Sequence, residues 1–333
     1  MLSSWTLGWV LALAVVLVGA GSWSRRQGYF CVFPARAGSP HWHHRCVPSD
    51  RSDPGGPRTI NLPTGNRRVI NILSRSSETA LRLRRRVADR QAAAPPDTGR
   101  VLPLALLVVA HPDDECMFFA PTLLNLLPAF EMAILCLSSG NADGLGPTRT
   151  REMLQACERL GVAAELVHVL DVPALQDGQL VDWQPADVLQ AIDTFAATRD
   201  IDLIITFDEH GISGHRNHAA IPQALLAARR GEVSHSGRVT HTPVLLLASP
   251  SLLAKYLPPA LSSWLPPPRP ALPSAGALSC LPAGPFRFEL TCVGEATAQA
   301  AMRMHASQWN WFRRWLYWPH SSLVYLNDMY LLE

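Results

Sequence analysis

Lysine is almost absent. Of 29 Lys and Arg residues, Lys255 is the single lysine, and Ala, Pro and Leu are abundant, a bias that a GC-rich coding sequence produces without any selected guanidinium surface. A net charge of +2 excludes a strongly basic nucleic-acid binder. There is no CxxC pair: the seven cysteines, at 31, 46, 116, 136, 157, 280 and 292, are odd in number and unpatterned, which argues against a secreted disulfide framework. Cys116, Cys136 and Cys157 fall inside apolar elements, where a free thiol packs as a small hydrophobe. No N-x-S/T acceptor occurs, as suits a chain facing the cytosol. No G-x-G-x-x-G follows the first regular strand, which excludes dinucleotide binding.

What remains is 333 residues with 48% hydrophobic content, enough for one α/β domain of roughly 200–250 residues and appendages. Residues 5–23, "WTLGWVLALAVVLVGAGSW", carry no charge and are long enough to cross a bilayer core of about 30 Å. A cleavable signal peptide is the alternative, with "VGAGS" as its cleavage site. Arg25 and Arg26 follow the run and nothing basic precedes it, which favours an anchor with the bulk of the chain in the cytosol. Residues 1–27 are therefore expected to be a membrane anchor with its basic flank. Residues 28–100, rich in Arg, Pro and Gly, are expected to be a disordered linker with at most one short basic helix. His41, His43, His44 and Cys46 lie within it, too close together and without a second cluster to make a structural zinc site. The arginines at 82–86 suit a solvated run or contact with anionic lipid.

From 101 to 333 the pattern is regular. Apolar runs at 104–110, 131–139, 165–172, 201–208 and 243–249 alternate with helical stretches, which predicts a doubly wound, mostly parallel Rossmann-like sheet. A proline-rich insert at about 257–285 interrupts it. A last, helix-forming element over 295–318 runs from strong helix formers into a dense aromatic and arginine cluster, with Trp309, Trp311, Trp315 and Trp318 sealing the core or meeting a membrane interface.

In such a sheet, ligands bind beyond the carboxyl ends of the strands. "AHPDDE" follows the run at 104–110, and "DEHGISGHRNH" (208–218) follows the run at 201–208. Alone, Asp113, Asp114 and Glu115 serve equally well as the acidic start of a helix. The second strand end, with His215 and His218 behind Gly211 and Gly214, makes a divalent cation the better reading. The ion would be zinc, with ferrous iron as the alternative, and its charge would let so many acids share one loop. His111 and Asp114 can turn to one point, His218 completes the set, Asp113 faces a water beside the metal, and His215 lies about one helical turn away.

These segments resemble the LmbE-like zinc-dependent de-N-acetylases, and more specifically their eukaryotic branch acting on N-acetylglucosaminyl-phosphatidylinositol in GPI-anchor biosynthesis. The likeness runs through "AHPDDECMFFAPTLL", "TRTREMLQACERLGV", "ITFDEHGISGHRNH" and "SQWNWFRR". It implies His111, Asp114 and His218 as metal ligands, Asp113 as general base and His215 as oxyanion stabiliser. Arg149, three residues before Glu152, becomes a contact for sugar or phosphate, the competing role being an ion pair on the helix surface. Glu115, Asn217 and Asp208 stand behind the ligands. Asn217 replaces the Asp common in bacterial relatives, and His210 has no assigned role. The resemblance further implies a glycolipid substrate and a single-pass location in the endoplasmic reticulum membrane with the catalytic domain in the cytosol, and no obligate protein partner is evident. Deacetylation of another acetylated amino sugar, or a silent membrane scaffold with this fold, are the competing readings.

Overall fold

The computed structural model describes residues 25–26, 29–30, 85–86, 88–93, 101–178, 181–233, 237–257, 268 and 283–332. The chain divides into two compact units, Met1–Leu62 and Pro63–Glu333. In the first, Arg25–Arg26 pairs antiparallel with Tyr29–Phe30. The anchor expected over 5–23 and the tract at His41, His43, His44 and Cys46 lie outside the described residues. Among the described residues, no helix is long and apolar enough to cross a membrane.

The second unit holds a sheet of seven strands: β1 (Leu104–Val109), β2 (Glu131–Cys136), β3 (Val167–Val169), β4 (Leu203–Phe207), β5 (Val244–Leu247), β6 (Ala283–Glu289) and β7 (Leu326–Leu332). Their order is β3-β2-β1-β4-β5-β7-β6. The first five are parallel, as the alternating pattern predicts. Leu106, Leu107, Val108 and Val109 of β1 are wholly buried, because helices cover both faces of a central parallel strand. Between β1 and β4 the strand order reverses, and a crevice opens there at the carboxyl ends.

The main helices that connect and flank these strands are α1 (Asp114–Met117), α2 (Ala120–Leu126), α3 (Gly146–Leu160), α4 (Pro185–Ala196), α5 (Gly211–Gly214), α6 (Arg216–Arg229), α7 (Leu252–Tyr256) and α8 (Cys292–Met302). On α3 the buried positions 149, 152, 153, 156, 157 and 160 form one stripe at helical spacing. Gly161 ends the helix with φ 91°, as its position after the last apolar residue predicts.

The sheet is mostly parallel, as expected, and ends in an antiparallel edge, β7 pairing with β5 and β6 with β7. β6 emerges directly from the insert and tolerates Pro285 because it is the outermost strand. The polar residues of β7 hide its strand character: Asp328 pairs across the strands with Arg287 at 2.7 Å, and buried Asn327 accepts from the Thr122 amide and hydroxyl. The element over 295–318 is two pieces. α8 stops at Met302, a turn brings His305 inward, and a π-helical turn over Arg313–Tyr317 leads into Trp318–His320. Within the segment 28–100, residues 88–93 are helical, and Arg90 donates to both carboxylate oxygens of buried Asp202 at 2.5 and 2.6 Å.

Candidate metal centre

Two loops meet at the crevice. The first leaves β1 through His111, Pro112 and Asp113 into α1; the second leaves β4 through Asp208 into α5 and α6. Among the described residues, only Asp113 (φ 121°) and Ile212 (φ 67°) combine a side chain with positive φ, and each sits in one of these loops. Such backbone costs on the order of 1–3 kcal/mol per residue and persists only where surrounding bonds impose it. At Gly211, φ is 55°, and an added Cβ would stand 2.9 Å from the Cβ of His218, so only glycine lets the loop close against that histidine.

The sequence places His111, Asp114, His215 and His218 in one site, and the structure brings them together. The imidazole Nδ1 of His111 lies 3.2 Å from Nε2 of His218, and Asp114 Oδ1 lies 3.3 Å from that same Nε2. The remaining valences are already committed. Asp114 Oδ2 accepts from the amides of Ala110 and His111, at 3.0 and 2.9 Å. His218 donates from Nδ1 to the carbonyl of Gly211 at 3.2 Å. His111 directs Nε2 to Asp177 Oδ1 at 3.1 Å and Asn217 Oδ1 at 3.2 Å. With both ring protons spent elsewhere, two nitrogen lone pairs and one carboxylate oxygen converge with no proton between them. Two ligands about 2.0–2.1 Å from a tetrahedral zinc stand about 3.3 Å apart, so the donor set fits a divalent cation. The outer bonds also match the usual support of metal-binding histidines, a carboxylate or carbonyl on the far nitrogen.

Burial opposes charge on His111, but the hydrogen bond to Asp177 and the carboxylates of Asp114, Asp177 and Asp113 outweigh it, and the imidazole is more basic than usual. Asp114 is buried, yet His218 and His111 hold its carboxyl well below the ordinary range.

His215 supplies a third imidazole. One nitrogen each from His111, His215 and His218 lies within 4.8 Å of the other two. The ring stacks on His218 at 4.6 Å, and its buried Nδ1 has no hydrogen-bond partner. Burial and the neighbouring His218 and His111 lower its pKa to about 4, so it is neutral near pH 7 and offers an N–H without a charge.

The acids do not depend on one ion to coexist. Asp113 Oδ2 is 2.8 Å from Arg313 Nη1 and 3.5 Å from Arg149 Nη2. Asp114 faces the histidines and two amides. Glu115 accepts from His305 Nε2 at 2.6 Å with one oxygen and from the Asp113 amide at 3.1 Å with the other. Three neighbouring carboxylates point to three different partners, so side-chain cations and hydrogen-bond donors, and not a metal's charge alone, let them share one loop. Burial pushes the Asp113 carboxyl above its ordinary range, with Arg313 and Arg149 pulling against it.

Arg149 does not pair with Glu152 on a helix surface. It is 9% exposed and donates to the carbonyls of Pro112 (2.8 Å) and Gly140 (3.0 Å), bracing the strained turn. Glu152 instead accepts from the amide and hydroxyl of Ser307. Asp208 accepts from the amide and hydroxyl of Ser249 and from the His210 amide, fixing the base of the second loop. Asn217 also ties that loop to Val181 through its amide nitrogen. Sequence reasoning missed Asp177, Arg313 and His305 as members of the site. Asp177 carries only a faint signal, an acid eight residues past the carboxyl end of β3 and behind Asp171; Arg313 stands in "SQWNWFRR", to which no role was given.

Fold and site together define a doubly wound α/β protein whose two strand-end loops bring together side chains able to hold a metal ion. Residues 106–229 match the family model PIG-L, GlcNAc-PI de-N-acetylase. Over 228 residues the chain is 37% identical to the N-acetylglucosaminyl-phosphatidylinositol de-N-acetylase of Bos taurus, covering 68% of this chain and 83% of that one. It is 39% identical over 154 residues to the probable enzyme of the same name from Schizosaccharomyces pombe, covering 46% and 59%. Among solved structures, the A40926 pseudoaglycone deacetylase Dbv21 aligns with a TM-score of 0.47 at 15% identity, covering 68% of this chain and 96% of that one. The chain belongs to the PIG-L family of GlcNAc-PI de-N-acetylases.

Proposed function

We propose that this chain is a metal-dependent N-deacetylase that removes the acetyl group of N-acetylglucosaminyl-phosphatidylinositol. The products are acetate and a glucosaminyl-phosphatidylinositol, an early step of GPI-anchor biosynthesis. One observation supports it above the rest: three ligand atoms, on His111, Asp114 and His218, converge while every other valence of those side chains is anchored. A divalent ion held there, zinc in the first instance, supplies Lewis acidity at the acetyl carbonyl and the charge that makes water nucleophilic near pH 7.

The chain's own residues do the rest. Asp113, held beside the site by Arg313, takes the proton as water attacks the carbonyl carbon. His215, neutral at this pH, donates its N–H to the developing oxyanion. When the C–N bond breaks, Asp113 returns its proton to the departing amine, and the balance is amide plus water to acid plus amine. A substrate held in a bilayer gives the uncharged run at 5–23 its purpose, anchoring the chain in the endoplasmic reticulum membrane with the site on the cytosolic side.

Acetate release from GlcNAc-phosphatidylinositol, measured together with bound metal, tests this reading. Wild type should bind one ion and turn over. His218→Ala should lose both, and Asp113→Asn should keep the metal and lose about 10²–10⁴ in rate. Turnover by wild type stripped of metal, or undiminished turnover by Asp113→Asn, would overturn it.

A further inference from the structure

The segment that carries Arg313 to Asp113 has two unlike sides. One is built into the protein. Tyr317 is buried and donates its hydroxyl to the carbonyl of Met117 at 3.1 Å, and Trp318, also buried, packs edge to face on Trp309 at 5.7 Å. The other side is open: Trp311 is 72% exposed and Trp315 66%, with the Arg314 guanidinium 5.0 Å from the Trp315 ring. The four tryptophans noted in the sequence therefore divide, two packed and two presented.

α7 lies alongside, its Lys255 ammonium 5.7 Å from the Tyr317 ring, and it presents Leu252 and Leu253 at 77% and 66% exposure. It begins just after Ser249, whose hydroxyl accepts from the Ile212 amide in the loop that carries His215. Both segments thus border the candidate metal centre. Neither bears negative charge: residues 233–288 and 296–327 contain no Asp or Glu, while Arg313, Arg314 and Lys255 lie among them. A single exposed apolar residue is ordinary. Two indoles on the segment that delivers Arg313 to Asp113 and two leucines on the helix alongside it, in acid-free and arginine-bearing chain, form an amphipathic rim. Indole rings settle at the headgroup level of a bilayer, and guanidinium groups there are drawn to lipid phosphate.

We infer that Trp311, Arg314 and Trp315, with Leu252 and Leu253, seat this protein on an anionic phospholipid surface and bring Asp113 to a headgroup that stays in its bilayer. The inference rests on the glycolipid reading above. It differs from an anchor in that it aims the site rather than merely retaining the chain.

The test uses the full chain and two substrates: diacyl GlcNAc-phosphatidylinositol in vesicles containing phosphatidylinositol, and its deacylated, water-soluble counterpart. Trp311→Ala/Trp315→Ala should lower kcat/KM about tenfold or more on vesicles, the worth of withdrawing roughly one buried apolar side chain, and leave the soluble substrate unchanged. Equal loss on both substrates, or no loss on either, overturns the inference. A second measurement needs no turnover. Bilayers with brominated acyl chains should quench wild-type tryptophan fluorescence more than that of Trp311→Phe/Trp315→Phe, because only the former carries indoles at the rim. Equal quenching overturns the inference, as does a lipid-free dimer in which these indoles are already shielded. If wild type hydrolyses neither substrate, the proposed activity fails while the quenching experiment still decides the rim.

Discussion

Removing Asp177 tests the metal centre through a residue that touches no metal. Its Oδ1 lies 3.1 Å from His111 Nε2, and Asn217 Oδ1 shares that nitrogen at 3.2 Å. Loss of such an outer partner typically lowers metal affinity 10–100-fold, about 1.4–2.7 kcal/mol. Because Asn217 remains as a second acceptor, Asp177→Ala should fall at the lower end, about tenfold. The pH dependence sharpens this. In the metal-free protein the carboxylates around His111, Asp177 among them, outweigh burial and raise its basicity, so protons compete with metal as pH falls. Deleting Asp177 lowers that basicity and relieves the competition. The ratio of wild-type to variant affinity should therefore be larger at pH 8 than at pH 6. Zinc titrated against a chromophoric chelator at the two pH values measures it. An affinity unchanged within threefold at pH 8, or a ratio that grows on acidification, refutes the ligand geometry.

His215→Ala should cost about 10²–10³ in kcat with zinc affinity within a few-fold, in steady-state assays paired with metal analysis; loss of metal along with rate would move His215 into the ligand set. Replacing Arg313 by Met removes the nearer of two guanidinium groups beside Asp113, whose carboxyl then rises further. The acid limb of the pH–rate profile should move up by about one unit or more, and Arg313→Lys should recover part of the shift. Asp202→Ala deletes an acceptor shared by Arg90 and the Leu104 amide, so urea unfolding should show a loss of about 3 kcal/mol, and a chain starting after residue 94 should lose a comparable amount.

The parts of the fold that were legible are those where burial acts on both faces of an element. β1 reads as "LALLVV" because helices on both sides leave no place for a polar residue. The two loops were legible because they fill with ionisable residues at points where the chain must turn. β6 and β7 were not, since their polar residues answer partners far along the sequence: Arg287 to Asp328, and Asn327 to Thr122. The same cause hid half the site. Asp177, Arg313 and His305 come from three further segments, and what each does depends on the residue it meets. Arg149 shows the reverse: its i,i+3 spacing to Glu152 offers a surface pair as one of two readings, while burial sends the two side chains to different loops.

The run Asp113-Asp114-Glu115 shows how the fold resolves local repulsion into catalytic geometry. An extended or helical path with ordinary φ would leave three carboxylates to repel within one turn of chain. At φ 121° the backbone of Asp113 reverses sharply, and each acid is delivered to a different donor: a guanidinium, a ring nitrogen with two amides, and a buried histidine. The strain costs on the order of 1–3 kcal/mol. It is offset by bonds that exist only in this conformation, the Asp113 amide to Glu115 and the Pro112 carbonyl to Arg149. Glu115 and Arg149 therefore act on the base through the backbone, and His305 acts through Glu115. Conservative changes at these positions should weaken turnover more than metal binding, because Asp114 takes its hydrogen bonds from Ala110 and His111, upstream of the strained residue.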